Sequence, residues 1–317
     1  MNDASRNCAV LVLAHGSAHN LDELEDFYTS IRKGRRPSEA ELEWLKKRYE
    51  LIGGLSPLNE ITQAQVQGLQ YCLDMRNPNY YKLFFATKHA YPTIEQTVAE
   101  IVFSNFNEVV VLVLAPHYSS LTTKEYFNRV SSAFHELASP EIRPTLIFVK
   151  SYHTEEGLIS LLVERVLDSL NSLPARESKG LNRVLLLFSA HSLPLDFLPL
   201  DDPYPSQVTE TSQAVATKIV GISSWRLAWQ SIGQNRRDKW LQPSVAEVIT
   251  QSSGLFESVI VVPVGFVSDH LETLYDLDIE ARKVAEQAGL NFVRTASLNA
   301  DPRFLEILAD VVVRRKS

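Results

Sequence analysis

The sequence predicts an α/β protein of two similar halves, each a four-stranded parallel sheet flanked by helices. Eight short apolar or β-branched runs recur along the 317 residues, and the intervals between them mostly carry helical patterns. The runs are continuously apolar rather than alternating, as expected of strands covered on both faces. A polar stretch rich in turn formers, Asn171 to Asn182, leaves four runs on either side.

The first run, 9–14 (AVLVLA), ends in Ala14-His15-Gly16-Ser17. Leu21, Leu24, Phe27, Tyr28 and Ile31 then share one face of a helix. Ser38, just after Pro37 and three residues before Glu41, forms the pattern of a capping box that opens a second helix to about Leu51; Gly53-Gly54 stops it. The runs 81–87 (YKLFFAT) and 108–115 (EVVVLVLA) follow, the second leading into Pro116-His117-Tyr118-Ser119. Tyr126, Val130, Phe134 and Leu137 repeat at helical spacing before the run 145–150 (TLIFVK). The boundary is placed in the polar stretch, giving lobes 1–175 and 176–317, with the last helix packing back on the first lobe. Beyond it lie the runs 183–189 (RVLLLFS), 225–230 (WRLAWQ), 258–264 (SVIVVPV) and 290–294 (LNFVR). Ser189-Ala190-His191-Ser192 resembles the two earlier strand ends.

Composition narrows the function. With 45% hydrophobic and 22% charged residues the chain falls among ordinary globular proteins. Its longest apolar runs, such as Val109 to Pro116, are under half of the roughly 20 residues a spanning helix requires. Asp3 and Arg6 ahead of a short apolar stretch lack the layout of a secretory signal, so a cytoplasmic location is expected. A monomer with no transmembrane anchor is expected as well. Cys8 and Cys72 are the two cysteines, too few for a four-thiolate zinc or iron–sulfur site, so any metal is held mainly by nitrogen and oxygen. A formal charge of −7 opposes nucleic-acid binding. The segment Ile31 to Arg36 departs from that balance with four cations, read either as a solvated loop or as a site for an anionic small molecule.

In open α/β sheets ligands bind beyond the carboxyl ends of the strands, where several histidines fall. His191 follows the run 183–189 and precedes a Ser-Leu-Pro turn. After Val264, the segment 265–280 carries Asp269, Glu272, Asp276, Asp278 and Glu280. On an α-helix the first three share a face, which is either a solvated surface or a carboxylate ladder leading a divalent cation toward a neutral imidazole. His15 and His19 sit after the first run, and His117 after the third as a second-tier candidate. His89, His135 and His153 read as structural or exposed, without partners. Trp229, Phe266 and Tyr275 are core residues or the lining of an apolar pocket. Gly53-Gly54-Leu55-Ser56-Pro57 lacks the lysine and spacing of a phosphate loop, which disfavours nucleotide chemistry.

Taken in order, the segments FYTSIRKGRR (27–36), RYELIGGLSPL (48–58), APHYSS (115–120), SAHSLP (189–194), DPYP (202–205), WQS (229–231) and VPVGFVSDHLETLYD (262–276) resemble those of ferrochelatases, which insert ferrous iron into a porphyrin. The likeness runs over nearly the whole chain. It implies two Rossmann-like lobes of the chelatase type with a porphyrin cleft between them. His191 looks like the family's metal-site histidine and Glu272 like its carboxylate partner, on opposite sides of that cleft. Arg32, Arg48, Tyr49, Ser56 and Tyr126 match positions that hold the macrocycle and its propionates in the short, Gram-positive-type branch. That branch is implied to use coproporphyrin III in haem biosynthesis. The expected partners are the porphyrin and ferrous iron, with no further cofactor, no iron–sulfur cluster and no C-terminal extension after the last helix. The sequence departs from the branch at His15: AHGSA stands where AYGTP, with an axial tyrosine, is typical. Sirohydrochlorin chelatases often carry AHGS at this place. The competing readings are a chelatase for protoporphyrin IX or sirohydrochlorin and a non-catalytic tetrapyrrole carrier.

Overall fold

The computed structural model describes residues 7–173, 181–233 and 239–316. Along the chain run β1 (Cys8–Ala14), α1 (Leu24–Ile31), α2 (Glu39–Leu51), α3 (Leu58–Arg76), β2 (Tyr81–Thr87), α4 (Ile94–Phe103), β3 (Glu108–Val113), α5 (Thr123–Leu137), β4 (Thr145–Val149) and α6 (Glu156–Asn171). Then come β5 (Val184–His191), α7 (Tyr204–Ala216), β6 (Trp225–Gln230), α8 (Val245–Gln251), β7 (Ser258–Pro263), a π-helix (Glu272–Ala281), α9 (Arg282–Gln287), β8 (Asn291–Arg294) and α10 (Pro302–Lys316). The α/β class and the two four-stranded parallel sheets stand as the apolar runs predict.

The sheets have orders β2-β1-β3-β4 and β6-β5-β7-β8, so one arrangement occurs twice. In each, the first strand in sequence lies at the centre: β1 is buried along its whole length and β5 up to Ala190, which is why both read as unbroken apolar runs. Core clusters in each half pack Leu11, Val109, Val111, Ile94 and Phe134 on one side of the chain's division, and Leu185, Leu187, Val259, Val261 and Ile249 on the other. The Ser38–Glu41 capping box forms as the sequence predicts, and Thr93–Gln96 and Ser244–Glu247 do the same for α4 and α8.

The described residues divide into two compact units, 7–118 with 122–152 and 299–316, and 119–121 with 153–298. The main boundary thus falls at Tyr152–His153 rather than at residue 175. The reason is α6, whose Leu158, Ile159, Leu161, Leu162 and Val166 are buried within the second unit, against α7 and β7. A polar stretch of sequence after a helix says nothing about which sheet that helix covers. The closing helix α10 belongs to the first unit, where it packs on α3, β3 and β4, and Arg76 of α3 binds Asp310 at 2.9 Å. Helix α3 itself is faint in the sequence because Thr62 and Gln65 occupy its buried face beside Leu69 and Leu73. Among the described residues no helix is long and apolar enough to cross a membrane.

Candidate active site

The second unit builds its site where three strands end. β5 runs two residues beyond the apolar run 183–189, pairing His191 with Gln230 of β6, so His191 is the last residue of the central strand rather than a loop residue. Gly265 follows β7 and lies so close to β5 that a Cβ there would stand 2.7 Å from Ala190 Cβ. The absence of a side chain lets the chain turn back over the strand end.

His191 and Glu272, expected on opposite sides of a cleft, instead both belong to the second unit and meet directly. Nε2 of His191 is 3.5 Å from Oε1 of Glu272, while Nε2 of His270 is 3.6 Å from Oε2. The carboxylate is therefore flanked by two imidazoles, one on each oxygen. His191 Nδ1 donates to the Ser192 carbonyl at 2.5 Å, which leaves Nε2 for Glu272. Gln230 accepts from Ser189 Oγ at 2.9 Å and donates to the Glu272 carbonyl at 3.2 Å, tying the first turn of the π-helix to the strand ends. Phe266 closes one side, its ring 4.4 Å from His270 and 6.3 Å from His191. The side chains of His191 and Glu272 keep 34% and 31% of their surface exposed, so a ligand can reach both.

Burial works against a charge on His191, but the Glu272 carboxylate, its hydrogen bond, the Ser192 carbonyl and Asp276 outweigh it and push the imidazole up to about 9. Burial likewise opposes the charge on Glu272, and His191 and His270 together hold its carboxyl well below the usual carboxylate range. The metal-free pair therefore favours an imidazolium beside a carboxylate, where the sequence reading took the imidazole as neutral.

The acidic ladder also resolves differently. Asp269 lies before the helix and accepts from Ser297 Oγ at 2.7 Å, and Arg294 stands 3.0 Å from it. Asp278 takes the same guanidinium through two contacts of 2.8 Å, and Asp276 accepts from Ser231 Oγ at 2.5 Å. Ser231 reaches it from a left-handed backbone, φ +57°. The helical spacing that aligned Asp269, Glu272 and Asp276 presumed an α-helix through all three, whereas the π-helix begins at Glu272. Of these acids, Glu272 is the one flanked by imidazoles. Among the described residues no group of three or more His, Cys, Asp or Glu side chains is arranged to hold a metal ion.

The remaining candidates lie in the first unit. Gly16, at φ +81°, turns the chain after β1 so tightly that a Cβ would sit 2.8 Å from Thr87 Cβ. His15 is exposed beside it; its Nδ1 is 3.1 Å from the Gly16 carbonyl, and its ring packs against Phe27 and against His89, 4.8 Å away. His89 was expected to lack a partner, yet its Nδ1 is 3.0 Å from Ser30 Oγ, and burial with the nearby His15, Lys88 and Arg129 lowers its imidazole to about 3. Arg32 is already paired, 2.7 Å from Glu41, whose carboxyl is held at about 2. Arg48 stacks on Trp44 at 4.6 Å. Tyr49 is buried with its hydroxyl 3.2 Å from Ser17 Oγ, and Ser56 accepts from the Leu58 N–H. Tyr126 is buried beneath Lys88, whose Nζ lies 5.2 Å from the ring and 2.6 Å from Glu125. Ser30, Lys33, Lys88, His89, Glu125 and Arg129 line a cavity of about 430 Å³.

His270, Gln230 and Tyr204 were missed in the sequence, although His270 stands two residues from Glu272 in the quoted DHLE string and Gln230 in WQS. His153, read as lacking a partner, lies 2.9 Å from Glu210. His117 is buried, and its carbonyl accepts from Thr123 Oγ1.

Comparison with known proteins agrees with this geometry. A family model described as Ferrochelatase matches residues 7–316. Coproporphyrin III ferrochelatase of Geobacillus sp. strain WCH70 is 37% identical over 98% of this chain and 99% of its own, and that of Bacillus subtilis strain 168 is 36% identical over 98% of each. Ferrochelatase of Thermus thermophilus is 38% identical over 96% of this chain and 98% of its own. Among solved structures, the sirohydrochlorin chelatase SirB of Bacillus subtilis subspecies spizizenii, determined with cobalt, covers 98% of this chain and 95% of its own with a TM-score of 0.57. At 14% identity that likeness concerns the fold. Two parallel sheets of one repeated order, a His–Glu pair at the end of a central strand and near-full-length sequence matches converge on one conclusion: the chain belongs to the ferrochelatase family.

Proposed function

We propose that the chain inserts ferrous iron into coproporphyrin III, with His191 and Glu272 as the insertion pair. The observation that carries the reading is the 3.5 Å contact between His191 Nε2 and Glu272 Oε1, exposed at the carboxyl end of β5 in a chain of this family. Coproporphyrin III is favoured over protoporphyrin IX and sirohydrochlorin because full-length relatives at 36–37% identity carry its name.

The chemistry exchanges one dication for two pyrrole protons and requires no covalent enzyme intermediate. Glu272 replaces water on the incoming cation, since a carboxylate held ionised by two imidazoles is ready to coordinate. The cation's charge then stabilises the carboxylate in place of the His191 proton, which leaves to solvent. The neutral imidazole, its Nδ1 anchored on Ser192, takes a pyrrole proton at Nε2; the second proton leaves through Glu272 to water. Arg32, Arg48, Tyr49, Ser56 and Tyr126 hold the ring and its carboxylates, and Arg32 exchanges Glu41 for one of them. His15 ligates the iron of the bound product through Nε2. Divalent affinity places zinc above iron, so the pair does not reject zinc on affinity.

A continuous absorbance assay under anoxia, with ferrous iron and each of the three rings, tests the reading. Fastest turnover on coproporphyrin III is expected. Preference for sirohydrochlorin would assign the chain to that reaction, and ring binding without turnover would make it a carrier.

A further inference from the structure

We infer that Tyr204 is a positioning residue for His191, using its phenol to fix the peptide that aims the imidazole at Glu272. The inference rests on the insertion role proposed for that pair. β5 pairs with β7 only as far as Ser189, opposite Pro263. Alternate carbonyls of a strand face the same neighbour. Ser189's carbonyl receives the Gly265 N–H at 3.2 Å, and His191's, two residues on, faces an edge where the ladder has ended. Tyr204 Oη supplies the missing donor at 3.0 Å.

The other end of the same peptide is also held, because the Ser192 N–H donates to the Gln230 carbonyl at 2.8 Å. Rotation of the 191–192 peptide is thereby blocked from both sides. Its orientation determines where the next carbonyl points, and that carbonyl, Ser192's, receives the Nδ1 proton of His191. With Nδ1 committed, Nε2 is the nitrogen offered to Glu272.

Tyr204 is itself well fixed for this task. It is buried as the first residue of α7, its N–H donates to Asp202 Oδ1 at 3.0 Å, and its ring packs on Trp229 at 5.8 Å. Asp202 Oδ2 receives the Ser120 N–H at 2.8 Å and is 3.2 Å from Ser119 Oγ, so the residue that caps Tyr204 is anchored in turn. The string DPYP thus reaches His191 through its tyrosine hydroxyl, with no contact to metal or ring required.

Tyr204→Phe removes the hydroxyl and keeps the ring. In the full-length protein it is expected to weaken zinc or iron affinity by about tenfold, the lower end of losses for outer hydrogen bonds to metal-site histidines, while coproporphyrin III affinity by fluorescence quenching stays within about twofold. By NMR of the ¹⁵N-histidine protein, the slowly exchanging Nδ1 proton of His191 is expected in the parent and lost in the variant. Ser212→Ala, which removes a buried hydroxyl bonded within the same helix, is expected to lower stability while leaving metal affinity unchanged. Unchanged metal affinity and an unchanged Nδ1 proton in folded Tyr204→Phe would overturn the inference, as would absence of a slowly exchanging His191 Nδ1 proton in the parent, which needs no variant to fold. His191→Ala assayed alongside separates the two readings. Retained insertion there removes the insertion role itself, whereas lost insertion there with a neutral Tyr204→Phe removes only the positioning.

Discussion

A histidine beside an ionised carboxylate keeps its proton to higher pH than one in water, and at His191 this sets stability and, under the insertion role proposed for the pair, metal affinity. Its imidazole, raised from 6.5 to about 9, stabilises the metal-free fold fully below pH 6.5; that contribution is lost as pH rises through 9. Cation binding must expel the same proton, so metal affinity rises across the window in which that stability falls. Denaturant titrations and metal titrations of the parent and of Glu272→Gln, from pH 6 to 9.5, are expected to show both slopes flattened in the variant. Equal slopes would show that another group titrates. His191→Ala is expected to lower insertion by at least about 100-fold with the fold intact, since it removes a positioned proton acceptor from a one-third-exposed site. His15 gives a spectroscopic prediction. The bound product is expected to show histidine-ligated iron, His15→Tyr to convert it to a phenolate-ligated form of lower reduction potential, and His15→Ala to leave water or an open position. A product spectrum unaffected by His15→Ala would assign His15 to the Gly16 turn alone.

Glu41 links two elements. It is the third residue of α2 and closes the capping box with Ser38, and it binds Arg32 just past the end of α1. Because glutamine also serves a capping box, Glu41→Gln should release Arg32 without uncapping α2. Affinity for the free-acid porphyrin is then expected to rise. Arg32→Ala is expected to lower it about tenfold, the equivalent of a charge-assisted hydrogen bond, while the methyl ester responds to neither change. Equal losses for acid and ester would make Arg32 a structural residue. In the second unit, Arg294 connects β8 to the π-helix and the turn before it through Asp278 and Asp269. Arg294→Met is expected to cost roughly 3 kcal/mol, because it strands two poorly exposed carboxylates. Calorimetry should report the loss, and hydrogen exchange should locate it in 269–281.

At the scale of the chain, one strand order occurs twice, and each occurrence brings its own core and its own crossover helices. The first unit is completed only by the last helix. α10 places Phe304, Leu305, Leu308 and Val312 in the interior, and burial is worth about 1.5–3 kcal/mol for each such side chain. Together they represent much of the roughly 5–15 kcal/mol by which a domain is stable. Truncation before Pro302 is therefore expected to abolish hydrogen-exchange protection in β1–β4 and α3 while sparing β5–β8. Protection retained in β1 and β3 would show that the first unit is stable without its closing helix.

The sequence by itself determined the strands, the α/β class, the Ser38–Glu41 cap, and the identity of His191 and Glu272 as a pair to be brought together. These depend on local periodicity, on short-range capping chemistry and on strings long enough to identify a family. The tertiary structure decided the rest. It gave α6 to the second unit, drew Asp269 and Asp278 onto Arg294, set His270 on the second oxygen of Glu272, and placed Tyr204 on the His191 carbonyl. It also set the Glu272 carboxylate and the Ser192 carbonyl against His191, which raises the proton affinity of its imidazole. The physical reason is common to all of these: Coulomb forces and hydrogen bonds act over a few ångströms in space, and residues distant along the chain reach those separations only after the sheet has brought its strand ends together.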